Sequence, residues 1–533
     1  MIPPLPTPPR VSVSRTPAFL VGLGIFASRV TGLVRQSVFA DFFGTSEAAA
    51  AFTTALKIPN FLQNLFGEGV LSASFIPVYA GLRARGEHEE ADRVAGAVIA
   101  LLGILTAVLV LLGMLVTPAL VELLAGGLSA DTKALTVRLV RILFPGIGLL
   151  VLSAWCLGVL NSHGRFLLSY AAPVLWNGAI IVALLLYGGR TTPLGELAVV
   201  AAWGAVIGSA LQLGVQIPSV LTLARHLRFS LDTTSHHVRT VVRNFGPVFV
   251  ARGVVQISGL IDLRIASLIG AAALSSVGYA QVLYMLPVSL FGMAVSAAEL
   301  PAMSGALGGA EEIARHLRQR LERAARHIAL FVIPSMVAFL ALGDVIAAAL
   351  FQGGRFTESD TLYVWAILAG ASVGLLAATL GRLYASTYFA LGDTRTPLRY
   401  AMLRVAIGTA LGLMFALWLP DVLGVDRRWG AAGLTLAGGI SGWIEYALLR
   451  RGLRTRVGPT AIPSGLLVRL FGAGLIAAGI AVAIKLAVAD LHPILRGLLV
   501  LTPFGGLYFG LASAFGVQEA RDVVGRVTRR LTR

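Results

Sequence analysis

Charge, cysteine and histidine are all scarce in this chain of 533 residues. Only 13% of its residues are charged, against about 25% in an ordinary soluble domain, so it has too few charges to clothe a water-exposed surface of its size. The lone cysteine, Cys156, excludes an intramolecular disulfide and any cysteine-based metal centre. The eight histidines are scattered or lie in loops, as His236 and His237 do, and no HExxH, P-loop or aspartate-rich diphosphate motif is present. No metal site, cofactor or catalytic constellation is therefore expected. Polar stretches stay below about 25 residues, too short to enclose a core, which argues against a soluble domain. Alternating segments of about ten residues are missing as well, which excludes a transmembrane β-barrel.

What the chain has is apolar length. It is 56% hydrophobic with a mean hydropathy of +0.82, so most of it belongs in lipid. Windows of mainly apolar residues give about fourteen spans, at roughly 17–42, 48–82, 94–124, 134–160, 167–188, 195–222, 244–269, 273–305, 327–351, 361–391, 398–419, 429–449, 465–488 and 493–516. The expected fold class is thus an all-α polytopic membrane protein. Pro59, Pro145, Pro173, Pro247, Pro287 and Pro301 fall inside spans, where breaks are tolerated if a neighbour or cavity satisfies the freed backbone. The GxGxxA match at Gly22, Gly24 and Ala27 follows no strand and reads as close helix packing by small residues.

Orientation comes from the loops. Lys and Arg number roughly 26 on the face shared by both termini and roughly 5 on the other, which the positive-inside rule reads as cytoplasmic termini. The rich segments are Arg83 and Arg85, Arg225 to Arg243, Arg315 to Arg326, Arg450 to Arg456, and the tail Arg521 to Arg533. Anionic headgroups account for the net charge of +17, so no nucleic-acid partner is expected. Residues 1–16 read as a disordered cytoplasmic lead-in without a cleavage signal, 223–243 as a basic linker, and 517–533 as a basic tail.

Charges inside the spans mark a polar interior, since each costs several kcal/mol unless it faces a partner or a wet cavity. The first span carries Arg29 and Arg35, about 240° apart on an ideal helix, so they share a face only if Gly32 lets the helix bend. The second carries Lys57, Asn60, Gln63 and Glu68 around the kink-forming Pro59. The seventh carries Arg252, Asp262 and Arg264, with Gln256 and Ser258 making it amphipathic, and the eighth adds Ser275, Tyr279 and Gln281. Arg29, Arg35, Lys57, Asn60, Gln63, Glu68, Arg252, Arg264, Ser275 and Gln281 are the candidate cavity residues, with Gly32 and Pro59 as hinges. Arg382, Arg404, Glu445, Arg469 and Lys485 read instead as structural pairs or interfacial groups.

Four segments carry a family resemblance: SRVTGLVRQ at 28–36, LKIPNFLQNLFGEGVLSASFIPVY at 56–79, FQGGRFTESDT at 351–361 and ALGDTRTP at 390–397. In order and over nearly the whole chain, they resemble the MurJ/MviN family, flippases of lipid-linked peptidoglycan precursors. The resemblance implies two six-helix lobes, 17–222 and 244–456, as in exporters of multidrug, oligosaccharidyl-lipid and polysaccharide substrates. It further implies a central cavity walled by helices one, two, seven and eight, and a groove for the polyprenyl tail in 457–516. Arg29 and Arg35 would then meet the pyrophosphate of an undecaprenyl-linked precursor in the bacterial cytoplasmic membrane. Membrane lipids and the cell-wall synthesis machinery are the further partners it suggests. Guanidinium groups suit such an anion through paired donors.

The chain departs from the family pattern in three places. Members commonly carry an acidic residue at Ala50, an arginine at Gln63 and an Asp-Arg pair at Gln281 and Val282; Arg252 and Arg264 are the expected replacements for the lost positive charge. Some relatives hold sodium between an aspartate of helix seven and polar groups of helices eleven and twelve. Asp262 matches that aspartate, but helix eleven offers Arg404, whose guanidinium is expected to neutralise Asp262 and leave coupling to membrane potential or a monovalent ion. The expected mechanism is alternating access without covalent chemistry. The alternatives are a flippase for another polyprenyl-linked saccharide, a drug antiporter of the same superfamily, and a non-transporting membrane scaffold.

Overall fold

Runs of Leu, Ala, Val and Gly in lipid have no water to satisfy their backbone, so each must satisfy it within its own segment as a helix. The computed structural model describes residues 15–189, 191–231, 234–304 and 309–531, and the side chains of Glu68 and Arg252 lie outside it. Helices cover every apolar window. They are α1 (Arg15–Phe43), α2 (Glu47–Phe66, prolonged by Glu68–Ser74 and Ile76–Ala84), α3 (His88–Ala125), α4 (Ala130–Ser162), α5 (Phe166–Ala171 with Pro173–Tyr187), α6 (Leu194–Leu223) and α7 (His236–Ile269). Then follow α8 (Ala271–Pro287, prolonged through a π turn to Ser304), α9 (Ala310–Phe351), α10 (Glu358–Ser372 with Leu375–Ala390), α11 (Arg395–Leu413, prolonged to Leu423), α12 (Gly430–Val457), α13 (Ser464–Ala487), α14 (Pro493–Ala514) and a tail helix α15 (Gln518–Leu531). Among the described residues, ten stretches are long and apolar enough to cross a membrane, or eleven if α10, bent by 42°, is one span. The helices α1, α7 and α12 are continuous too. Among the described residues the only extended pairing is the bridge between Gly353 and Phe356.

Helices α1–α6 pack on one another as one lobe and α8–α12 as a second, with α7 against both and α13 and α14 packed on α9. Small residues bring helices together: a Cβ on Gly24 would lie 2.8 Å from Cβ of Tyr170, so α1 lies tight on α5. One hydrophobic core runs through both lobes at the end where α1 turns into α2, and includes Phe39, Phe43, Ile58, Leu263 and Tyr279. This end is the distal face, and the end holding the described termini is the terminal face. A second core, around Phe75, Tyr79, Trp155 and Leu160, fills the terminal half of the first lobe and takes in Val238 and Val241 of α7.

Several local expectations are corrected. The α2 helix runs through Pro59, whose buried ring sits among apolar neighbours, and breaks instead at Gly67, where the backbone turns extended (φ −81°, ψ −156°). The α1 helix is continuous through Gly32, which lies beside Asn177 of α5 as a packing contact and not a visible hinge. Helix α7 starts at His236, inside the stretch read as linker, and the tail is a helix whose Val517 and Ala520 are buried.

Candidate functional site

The lobes are latched at the distal face. The Tyr279 hydroxyl donates to the Gly44 carbonyl at 2.8 Å, and Ser275 donates to the Thr45 carbonyl at 3.3 Å. Thr45 donates to the Asp360 carboxylate at 2.5 Å, and the Arg355 N–H to the Asp41 carbonyl at 2.8 Å. The turn must be glycine there: Gly44 has φ +54°, and a Cβ on it would lie 2.5 Å from the Arg355 carbonyl oxygen. Aromatic rings seal the junction, with Tyr279 5.1 Å from Phe356 and 5.3 Å from Phe351 between ring centres.

Toward the terminal face the lobes meet through α7. Helix α1 meets the second lobe at its distal end, where Phe39 approaches Tyr279 at 6.5 Å, whereas Phe26 and Val34 are 64% and 46% exposed. The first half of α7 leans on α2, through Phe66 against Phe249 at 5.2 Å and an Asn64 to Gln256 hydrogen bond of 3.1 Å. The lobes are thus latched at the distal face, and the terminal half of α7 packs on the first lobe.

Cations stand on α1, α2 and α11. Arg29 is exposed on α1 and, among the described residues, has no ion pair or hydrogen bond for its guanidinium. Arg35 points elsewhere, stacking over Trp176 of α5 at 4.9 Å, a cation–π contact that holds a half-buried guanidinium without a counter-charge. Lys57 of α2 and Asp262 of α7 act on each other electrostatically without a direct ion pair, and Asp262 also feels Arg404 of α11. Arg404 is tied to Glu445 of α12 at 3.4 Å. A relay of alternating charge thus crosses from the first lobe into the second.

Asp262 is exposed and acts electrostatically with both Lys57 and Arg404, while Arg29 stands apart from them. The structure does not bring Arg264 or Ser275 to the cavity. Arg264 reaches the distal junction, where Cβ atoms built on Gly126 would lie 2.6 Å from its Nη1 and 2.9 Å from Glu122 Oε1; the turn after α3 is simply the surface that α7 meets. Ser275 is buried in the latch because it lies one helical turn before Tyr279 on the same face of α8. Gln281 is exposed, while Asn60 and Gln63 are half-buried with no side-chain partner among the described residues. Glu68 and Arg252 fall outside the described side chains. The sequence reading missed Trp176, Thr45 and Asp360, although Asp360 lies in the quoted FQGGRFTESDT segment; the expected structural pairings of Arg404 and Lys485 are present.

The chain matches the family model described as "Lipid II flippase MurJ" over residues 39–502. The lipid II flippase MurJ of Burkholderia cenocepacia is 31% identical over 511 residues, covering 92% of this chain and 96% of the relative. A probable lipid II flippase MurJ of Bdellovibrio bacteriovorus is 29% identical over 519 residues, covering 94% and 95%. A solved lipid II flippase MurJ in an inward closed conformation superposes with a TM-score of 0.77 at 26% identity, over 95% of this chain and all of that one, 100%. An inward-facing multidrug transporter of the MATE family, from the MOP superfamily, shares the fold with a TM-score of 0.64 at 16% identity, over 84% of this chain and 100% of its own.

Proposed function

The chain belongs to the MurJ family of lipid II flippases, and we propose that it carries lipid II across the bacterial cytoplasmic membrane by alternating access, with both termini in the cytoplasm. The observation that carries this is Arg29, exposed on α1 with no ion pair or hydrogen bond for its guanidinium among the described residues, in a chain whose lobes are latched at the distal, here outer, face. A cation left bare at membrane depth is stabilised by an anion brought to it, and a diphosphate offers paired acceptor oxygens. The headgroup enters the wet cleft while the polyprenyl chain stays in lipid. This spares the diphosphate a passage through hydrocarbon, where desolvation alone would forbid it. Lys57 lies deeper on the same route and draws the anion toward the lobe junction. The chemistry is transport, with no bond made or broken.

The test is growth of bacteria depleted of their own flippase. Wild-type protein restores cell-wall synthesis, and Arg29→Ala at matched membrane expression does not, with at least a tenfold drop in rescue for one lost charge-assisted contact of about 1.5–3 kcal/mol. Equal rescue by both would remove Arg29 as a substrate contact. Failure of well-expressed wild type would favour the second reading, a flippase for another polyprenyl-linked saccharide. That reading is favoured by neutral Gln63, Gln281 and Val282, where family members carry charge.

The relay of Lys57, Asp262, Arg404 and Glu445 supports coupling to membrane potential, with Arg404 supplying the positive charge that a bound monovalent cation would bring. One charge crossing the field is worth about 2.3 kcal/mol per 100 mV. Flipping in proteoliposomes is expected to respond to an imposed potential equally in sodium and in choline buffer; a requirement for sodium would overturn this coupling.

A further inference from the structure

Two cations and one carboxylate lie together at the distal end of the added helices, outside the cavity. Lys485 in the last turn of α13 pairs with Asp344 of α9 at 2.6 Å, and Arg496 in the first turn of α14 approaches the same oxygen, Oδ2, at 3.6 Å. The cluster carries one positive charge in excess. Asp344 is 7% exposed, whereas Lys485 and Arg496 keep 22% and 21% of their side chains accessible. Asp344 Oδ1 and Nε of Arg496 are buried without a hydrogen-bond partner. Such a half-satisfied group of ions is a poor way to hold helices together, because each unpaired polar atom retains its desolvation cost.

The position fits a ligand better. Asp344 follows the kink of α9 at Leu342, into which Trp365 of α10 donates its indole N–H to the Phe339 carbonyl at 3.1 Å, and the Lys485 ammonium lies 5.8 Å over that ring. Next to the cations along α13 and α14, Leu486 and Leu495 are 72% and 53% exposed, the face such helices turn to acyl chains. An anion reaching Lys485 and Arg496 must therefore arrive from the membrane.

We propose that Lys485 and Arg496 bind the phosphate of a lipid at the distal leaflet, with Asp344 holding the two cations in register. This goes beyond the flipping reading and does not depend on it, since the site takes a phosphate and not a saccharide. Two lipids present that group there, a bulk anionic phospholipid and a diphosphate-linked polyprenyl lipid. The test uses the full chain purified in detergent, given either phosphatidylglycerol or undecaprenyl diphosphate, with retained lipid counted by native mass spectrometry. All variants are made in an Arg29→Ala background, so that cavity binding does not contribute.

Arg496→Gln and Lys485→Gln are expected to lower retention about tenfold, as for loss of one charge-assisted contact, while Asp344→Asn, which frees the cations, keeps or raises it. The lipid that shows the loss is the occupant. Retention of both lipids at parent levels in Arg496→Gln would overturn the site. So would a fall in Asp344→Asn equal to that in the cation variants, the pattern of a structural triad. Arg496→Lys, which keeps the charge and the packing, should hold lipid even where the glutamine variants melt early.

Discussion

At the scale of single residues, what each charge does depends on its partner more than on its depth. Arg29 and Arg35 lie six positions apart on α1, yet one is exposed without a partner among the described residues and the other is covered by Trp176. A sequence shows the spacing but not the aromatic ring that answers it, which comes from a different helix. Outside the membrane the same logic fixes Asp393, in the loop before α11. Its carboxylate accepts from the N–H groups of Arg395 and Thr396 at 3.1 and 3.0 Å and from Arg456 at 2.7 Å. These donors, the Thr396 bonds first, hold its carboxyl down at about 2. A depressed carboxyl stabilises the fold fully above its unfolded value of about 3.9. That contribution fades as pH falls toward 2 and is gone below it. Asp393→Ala is therefore expected to lower the apparent melting temperature at pH 7, by a cap's worth of about 1 kcal/mol, and to leave it unchanged near pH 2. A difference that persists in acid would show that the side chain acts through packing.

At the scale of elements, the extents of the helices were legible and their breaks were not. Spans expected at 167–188 and 465–488 appear as Phe166–Tyr187 and Ser464–Ala487, because apolar length and backbone satisfaction are properties of one segment. The break of α2 was expected at Pro59 and falls at Gly67, since a transmembrane helix accommodates a missing N–H more easily than the run into Glu68 and Gly69 keeps its turn. The latch between the α1–α2 turn and α10 was equally hidden, its partners Thr45 and Asp360 being 315 positions apart. Thr45→Val removes one inter-lobe hydrogen bond, worth about 1 kcal/mol, and should raise the outward-open population about fivefold. Gly44→Ala, strained at φ +54° and against the Arg355 carbonyl, should raise it further. A cysteine at Asn60, in a chain whose Cys156 is replaced by Ala, would report this as faster labelling by an impermeant maleimide added outside cells. Unchanged labelling in both variants would show that the latch does not hold the closed state.

At the scale of the whole molecule, charge asymmetry and lobe closure describe one transport cycle from two sides. The basic loops gather on the terminal face, so a green fluorescent protein fused after Arg533 should fluoresce and an alkaline phosphatase fused there should be inactive; the reverse would invert the orientation and with it the side on which the lobes are latched. The sequence by itself determined the solvent, the helical class, the extents of the spans and the family. Each of these follows from composition and local backbone demand in lipid, or from short contiguous segments. Only the tertiary structure decided which polar groups share a site. It sent Arg264 and Ser275 to the distal junction, put Asp262 within electrostatic reach of Lys57 and Arg404, and joined Asp344 to Lys485 and Arg496. The physical reason is that a charge inside a membrane is settled by whichever helix packs against it. That pairing is fixed when the lobes assemble, by contacts between residues far apart in the chain.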